Sequence, residues 1–253
     1  MDLGLHARRA LVTGGTKGIG RAVAETLAAE GAAVAVCARD AAEVEATRRA
    51  LRERGVPVLG RALDVSDGPA LRAWIVDVAE EFGGLDIVVA NVSALAIGNS
   101  EDTWRRSFEV DVMHAVRLVE AALPYLERSD AASITTIASV LGREIDFAAG
   151  SYGAMKAALI HLTQGLAFNL AAKNIRANSV SPGNTYFPGG VWEQIERGNP
   201  EFFAAAPALN PTGRMAKPDE IARAVAFIAS PAASFITGTN LVVDGALTRG
   251  AQY

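Results

Sequence analysis

Short apolar runs alternate with longer stretches in which apolar residues recur every three to four positions, almost from end to end. RALVTG, AAVAVCAR, VPVLGRALDV, LDIVVAN, ASITTIAS, IRANSVSPG and TNLVVDG are nearly continuous in apolar or β-branched residues and read as strands. Between them, 18–30, 41–54, 69–82, 101–127, 151–173 and 218–229 carry helical spacing. Strands apolar on both faces, alternating with helices, predict a parallel sheet covered on both sides. The expectation is therefore an α/β, doubly wound, seven-stranded parallel sheet, with 1–253 a single domain. Residues 184–214 break the rhythm: they are rich in glycine, proline and aromatics (Tyr186, Phe187, Trp192, Phe202, Phe203). A segment of that length between a strand and a helix predicts a substrate lid.

Composition narrows the class. Half of the 253 residues are hydrophobic, enough for a sizeable core, and the net charge is −4 with its cations spread along the chain. That balance argues against nucleic acid or an acidic membrane surface as partner. The single cysteine, Cys37, excludes an intrachain disulfide and lies in an apolar run, as a buried small side chain would. His6, His114 and His161 show no metal-ligand spacing, so no metal is expected. With no leader pattern and no apolar run of membrane-spanning length, the expected location is the cytoplasm.

The first strand runs into TGGTKGIG, so Gly14, Gly18 and Gly20 follow a strand and open a helix. Glycine there permits a tight turn and lets backbone N–H groups approach a pyrophosphate at the helix N-terminus. The expected fold is thus Rossmann-like. The second strand ends with Ala38 where an NAD site usually has an acid for the ribose 2′-hydroxyl, and Arg39 follows. Arg39 and Lys17 suit a 2′-phosphate, which predicts NADP(H). Asp40, the next acid, falls one step further on and suits a helix N-cap.

Tyr152 and Lys156 sit four residues apart near the start of the apolar stretch 151–173, so both project from one helix face. Taken alone, that pair also fits a tyrosine at a helix end beside a snorkelling lysine.

The motifs together resemble the short-chain dehydrogenase/reductase family, in its 3-oxoacyl-reductase-like branch, over essentially the whole chain. TGGTKGIG is similar to the family's cofactor loop, and Asp64 and Val65 of LDV to its adenine-contacting residues. ANVS (90–93) stands where the family has Asn-Asn-Ala-Gly; Ser139 precedes Tyr152 at the family interval; YGAMK is its Tyr-x-x-x-Lys. SPGNT is similar to its Pro-Gly turn beside the nicotinamide. The resemblance implies that Tyr152 exchanges a proton with the substrate oxygen, that Lys156 assists it and holds the nicotinamide ribose, and that Ser139 orients the same oxygen. A free phenol titrates at about 10, and a neighbouring ammonium favours its ionised form. It further implies cofactor contacts at Gly14, Thr16, Lys17, Gly18, Ile19, Gly20, Arg39, Asp64, Val65, Asn91, Tyr152, Lys156, Pro182, Gly183 and Thr185. It also implies a homo-oligomer, tetrameric or dimeric.

The sequence departs from the family at two places. Ser93 replaces a glycine, and Asp111 stands where the family's fourth catalytic residue is an asparagine. The expected activity is reduction of a ketone to a secondary alcohol by NADPH, on a small-molecule substrate. Apolar residues in VLGREIDFAAG and in the lid suggest a moderately bulky hydrophobic ketone. A 3-oxoacyl-thioester reductase, and a cofactor-binding sensor or scaffold with impaired catalysis, remain open alternatives.

Overall fold

The computed structural model describes residues 2–145 and 149–250. Seven strands form one parallel sheet: β1 (Arg9–Thr13), β2 (Ala33–Ala38), β3 (Val58–Ala62), β4 (Ile87–Ala90), β5 (Ser133–Ile137), β6 (Arg176–Pro182) and β7 (Asn240–Val243). Their order is β3-β2-β1-β4-β5-β6-β7, as the doubly wound expectation requires. Alternation along the strands sends side chains to two separate apolar layers. Leu11, Ala35, Val88 and Ile134 pack on one side, with residues of α3 (Gly68–Glu81), α5 (His114–Leu126) and α6 (Ser151–Leu170). Ala10, Val12, Val34 and Val89 pack on the other, with α1 (Gly18–Ala29) and α9 (Pro218–Ala229).

Local chemistry sets the helix starts. Asp40 caps α2 (Ala41–Arg52) by accepting from Ala42 N and Glu43 N, and Asp67 caps α3 by accepting from Ala70 N. Asp40 is thus engaged as a cap. Buried Arg176 ties β6 to the end of α9, its guanidinium donating to the carbonyls of Ile228, Ala229 and Ser230.

Three boundaries differ from the sequence expectation. The stretch 101–127 is not one helix: α4 (Glu101–Ser107) passes into a π-helical turn, Phe108–Met113, before α5 begins. The wider turn shifts the register between two segments of ordinary helical period, so apolar spacing could not reveal it. Helix α6 stops at Leu170, and a 3₁₀ turn, Ala171–Lys173, ends at Asn174 in left-handed geometry (φ 57°). The 184–214 segment holds two helices of its own, α7 (Val191–Gly198) and α8 (Pro200–Leu209).

Candidate active site

The strand order reverses between β1 and β4, and a cleft opens at their carboxyl ends, where open α/β sheets bind ligands. Its floor is built from the loop after β1 and from Asn91 after β4. Asn91 N donates to Thr13 Oγ1 (3.0 Å), while its Nδ2 donates to the carbonyls of Thr13 (3.0 Å) and Gly14 (3.2 Å). These bonds draw the two strand ends together and leave no space at the glycines. A Cβ on Gly20 would lie 2.3 Å from Gly14 O, and one on Gly14, whose φ is +66°, would lie 2.9 Å from Val92 Cγ2. Helix α1 begins without a side-chain cap and with no acid in its first turn. Crowded glycines below an uncapped helix N-terminus fit the pyrophosphate of a dinucleotide.

Beneath the cleft lies a buried ion pair. Lys156 Nζ sits 3.2 Å from Asp111 Oδ1, with side-chain exposures of 2% and 0%. Nζ donates to Ile137 O at 3.0 Å, and Asp111 Oδ2 accepts from Ala94 N at 3.0 Å. Oδ1 lies at ion-pair distance but outside hydrogen-bond geometry. The Lys156 ammonium stands 5.6 Å from the centre of the Tyr152 ring, so the four-residue spacing places phenol and ammonium together. Ser139 lies two residues past β5, and its Oγ accepts from Leu141 N at 3.1 Å, leaving its own proton available.

His114 completes this layer. Its Nδ1 lies 2.6 Å from Val110 O, and its Nε2 lies 3.2 Å from Thr13 Oγ1. Burial, aided by the Lys156 charge, pushes the imidazole down to about 4 against the opposing pull of Val110 and Asp111. A neutral ring donating through Nδ1 and accepting through Nε2 satisfies both neighbours. It thereby fixes Thr13, which receives the Asn91 amide. The sequence showed only that His114 lacks metal-ligand spacing and gave no sign of this link.

Above the floor the cleft is lined by Lys17, Ile19, Gly20, Asn91, Pro182 and Gly183, by Tyr152, and by the apolar side chains of Leu95, Ile97, Val140, Leu141, Val191 and Trp192. Thr185 is buried, donates to Gly183 O, and pairs with Ala216 in an isolated parallel bridge. Of the aromatics in 184–214, Phe187 and Trp192 reach the cleft. Tyr186 instead contacts Phe203 (5.7 Å) and donates to Glu196, and Phe202 stacks on Trp192 (5.9 Å). Part of the loop expected to shape the substrate pocket, residues 146–148, lies outside the described residues.

Not every sequence candidate lines the cleft. Arg39 is exposed beyond β2 and makes no hydrogen bond or ion pair among the described residues. Asp64 is exposed; hydrogen bonds from Ser66, with a smaller pull from Arg39, hold its carboxyl below the usual range. The Val65 side chain is buried in the core. Thr16 and Gly18 border a shallow depression next to the cleft. Cys37 is buried and its thiol is pushed up to about 12 by burial, so it is unreactive. Among the described residues there is no group of His, Cys, Asp or Glu able to hold a metal ion. No described helix is long and apolar enough to cross a membrane.

Residues 14–248 match the family described as Enoyl-(Acyl carrier protein) reductase. The chain is 38% identical over 257 residues to an isoepoxydon dehydrogenase of Penicillium expansum, covering 100% of this chain and 99% of that one. Among solved structures it superposes on the L-sorbose reductase of Gluconobacter frateurii complexed with NADPH and L-sorbose. That match has a TM-score of 0.91 and 30% identity, over 99% of this chain and 100% of that chain. It also superposes on a short-chain dehydrogenase of Burkholderia cenocepacia in complex with NADP, with a TM-score of 0.88, 33% identity and coverage of 96% and 99%.

Proposed function

The chain belongs to the short-chain dehydrogenase/reductase family of NAD(P)-dependent oxidoreductases, and from that premise we propose that it uses NADPH to reduce a ketone to a secondary alcohol, with Tyr152 as proton donor. The observation that carries this reading is the Tyr152 ring 5.6 Å from the buried Lys156 ammonium, both lining a cleft that also carries apolar side chains.

The glycine loop and the N-terminus of α1 would hold the pyrophosphate, with Arg39 and Lys17 at the 2′-phosphate and Pro182, Gly183 and Thr185 beside the nicotinamide. When bound, NADPH supplies a hydride to the carbonyl carbon. Tyr152 gives its proton to the carbonyl oxygen, and the Lys156 charge stabilises the phenolate left behind. Ser139 donates to the same oxygen, stabilising negative charge as it develops. Asp111 and Ile137 O hold Lys156 in place, since a buried ammonium without partners would be expelled or neutralised. Besides Tyr152 the cleft carries aliphatic side chains and Trp192, which suits a moderately bulky hydrophobic ketone. The 184–214 segment would close over it, with Phe187 and Trp192 facing inward.

The same reading takes the protein as a cytoplasmic homo-oligomer. Phe168 and Phe235 are 88% and 102% exposed, apolar surface that a subunit contact would cover. Sedimentation velocity tests this: a monomer at micromolar concentration contradicts it. The activity itself is tested by following NADPH consumption with a panel of ketones, together with the reverse reaction on the matching alcohols.

A further inference from the structure

Glu43 is a charged group that the proposed reaction does not use. It sits in the first turn of α2, where Asp40 Oδ1 accepts from its backbone N at 3.0 Å and fixes that turn. From there its side chain reaches back to the glycine loop. Oε1 lies 2.5 Å from Lys17 Nζ, and Oε2 accepts from Thr16 Oγ1 at 3.3 Å. Lys17 and Glu43 are 58% and 33% exposed, and pairs so exposed contribute little to stability. The contact therefore matters for where charge sits in the cleft. Three elements converge on this corner: the glycine loop with Thr16 and Lys17, the end of β2 with Arg39, and the start of α2 with Glu43. In dinucleotide folds the end of the second strand faces the adenosine ribose. The other acids near this corner are engaged, Asp40 as a helix cap and Asp64 by hydrogen bonds from Ser66. Glu43 is held by the cation and hydroxyl of the loop itself.

We propose that Glu43 is a specificity-determining residue for the nucleotide, moderating the preference for NADP(H) over NAD(H). This rests on the reading of the cleft as an NADP(H) site. The carboxylate offsets the Lys17 charge and repels a 2′-phosphate, while it offers an acceptor to a 2′-hydroxyl. Lys17 is thus shared between carboxylate and phosphate, whereas Arg39 makes no hydrogen bond or ion pair among the described residues. The chain thus carries an acid for the ribose on α2 rather than at the end of β2.

The test is titration calorimetry of wild type and Glu43→Gln with NADPH and NADH. It is repeated with adenosine 2′,5′-bisphosphate and 5′-AMP, which probe the adenosine end alone. Removing one negative charge from this solvated corner should tighten 2′-phosphate ligands about three- to tenfold. Ligands with a free 2′-hydroxyl should bind equally or more weakly, so the preference rises. Glu43→Asp, which retains the charge, should stay near wild type, and the melting temperature of both variants should be unchanged. An unchanged or reduced preference in Glu43→Gln overturns the assignment of Glu43 while leaving the NADP(H) reading intact. A wild type that binds none of the four ligands overturns both.

Discussion

Asp111 Oδ1 lies 3.2 Å from Lys156 Nζ, in a pair closed off from solvent, where the family places an uncharged asparagine. A buried ion pair is weak evidence of net stabilisation, but removing one partner strands the other. Asp111→Ala should therefore cost about 3–5 kcal/mol, measured by denaturant unfolding. Asp111→Asn retains one oxygen to accept from Ala94 N, and Lys156 keeps its bond to Ile137 O, so the variant should fold and remain active. It also removes a negative charge facing Lys156, letting the ammonium act more fully on Tyr152. The alkaline limb of the pH–rate profile for alcohol oxidation should then move to lower pH. A move to higher pH would contradict this electrostatic account.

The same layer predicts sensitivity to acid. Unfolded histidine takes up a proton below about 6.5, whereas the folded His114 ring, pushed down by burial, stays neutral to about 4. Within that window the unfolded state binds more protons, so stability falls as pH falls. The loss from this group between about pH 7 and about pH 5 should be roughly 2 kcal/mol. His114→Gln retains a donor and an acceptor without the titration, and its stability should vary less over the window. Identical pH dependence in both proteins would remove His114 from the explanation. Asp86 adds to acid lability at lower pH. Burial alone would raise its carboxyl, but bonds from Arg9 and Ser129 outweigh that and hold it below the usual range. Its contribution is present above about 4 and is lost as pH drops further.

Arg39 tests the adenosine end. As it has no partner among the described residues, Arg39→Ala should leave the fold unchanged and remove only a ligand contact. A charge-assisted hydrogen bond contributes about 1.5–3 kcal/mol, so NADPH affinity should drop about ten- to a hundredfold. NADH affinity should change far less, since a ribose hydroxyl carries no charge for the guanidinium to neutralise. Equal losses for both nucleotides would place Arg39 away from the phosphate.

Much of this was legible in the chain. RALVTG and AAVAVCAR became β1 and β2 within a residue or two because a doubly covered parallel strand needs a run of apolar residues, and such a run is visible as it stands. Tyr152 and Lys156 were readable as neighbours because helical spacing is local. The π-helical turn was not, since a register shift leaves the apolar period on either side intact. Nor were the partners of His114 and Glu43. Thr13 lies 101 residues from His114, and Thr16 lies 27 from Glu43; only the fold brings each pair together. Arg39 was assigned by its place at the end of a strand and Asp64 by resemblance, and the relation of Arg39 to a nucleotide is what the binding measurements above test.

The most direct measurement compares wild type with Tyr152→Phe, following NADPH consumption with a ketone panel and NADPH binding in parallel. The substitution removes the hydroxyl and keeps the ring near Lys156, so fold and NADPH affinity should be preserved. Turnover should fall at least about 10²-fold, the lower end of what a general acid contributes. A Tyr152→Phe enzyme that reduces ketones at close to the wild-type rate would contradict the account, as would a wild type that consumes NADPH with no ketone at all.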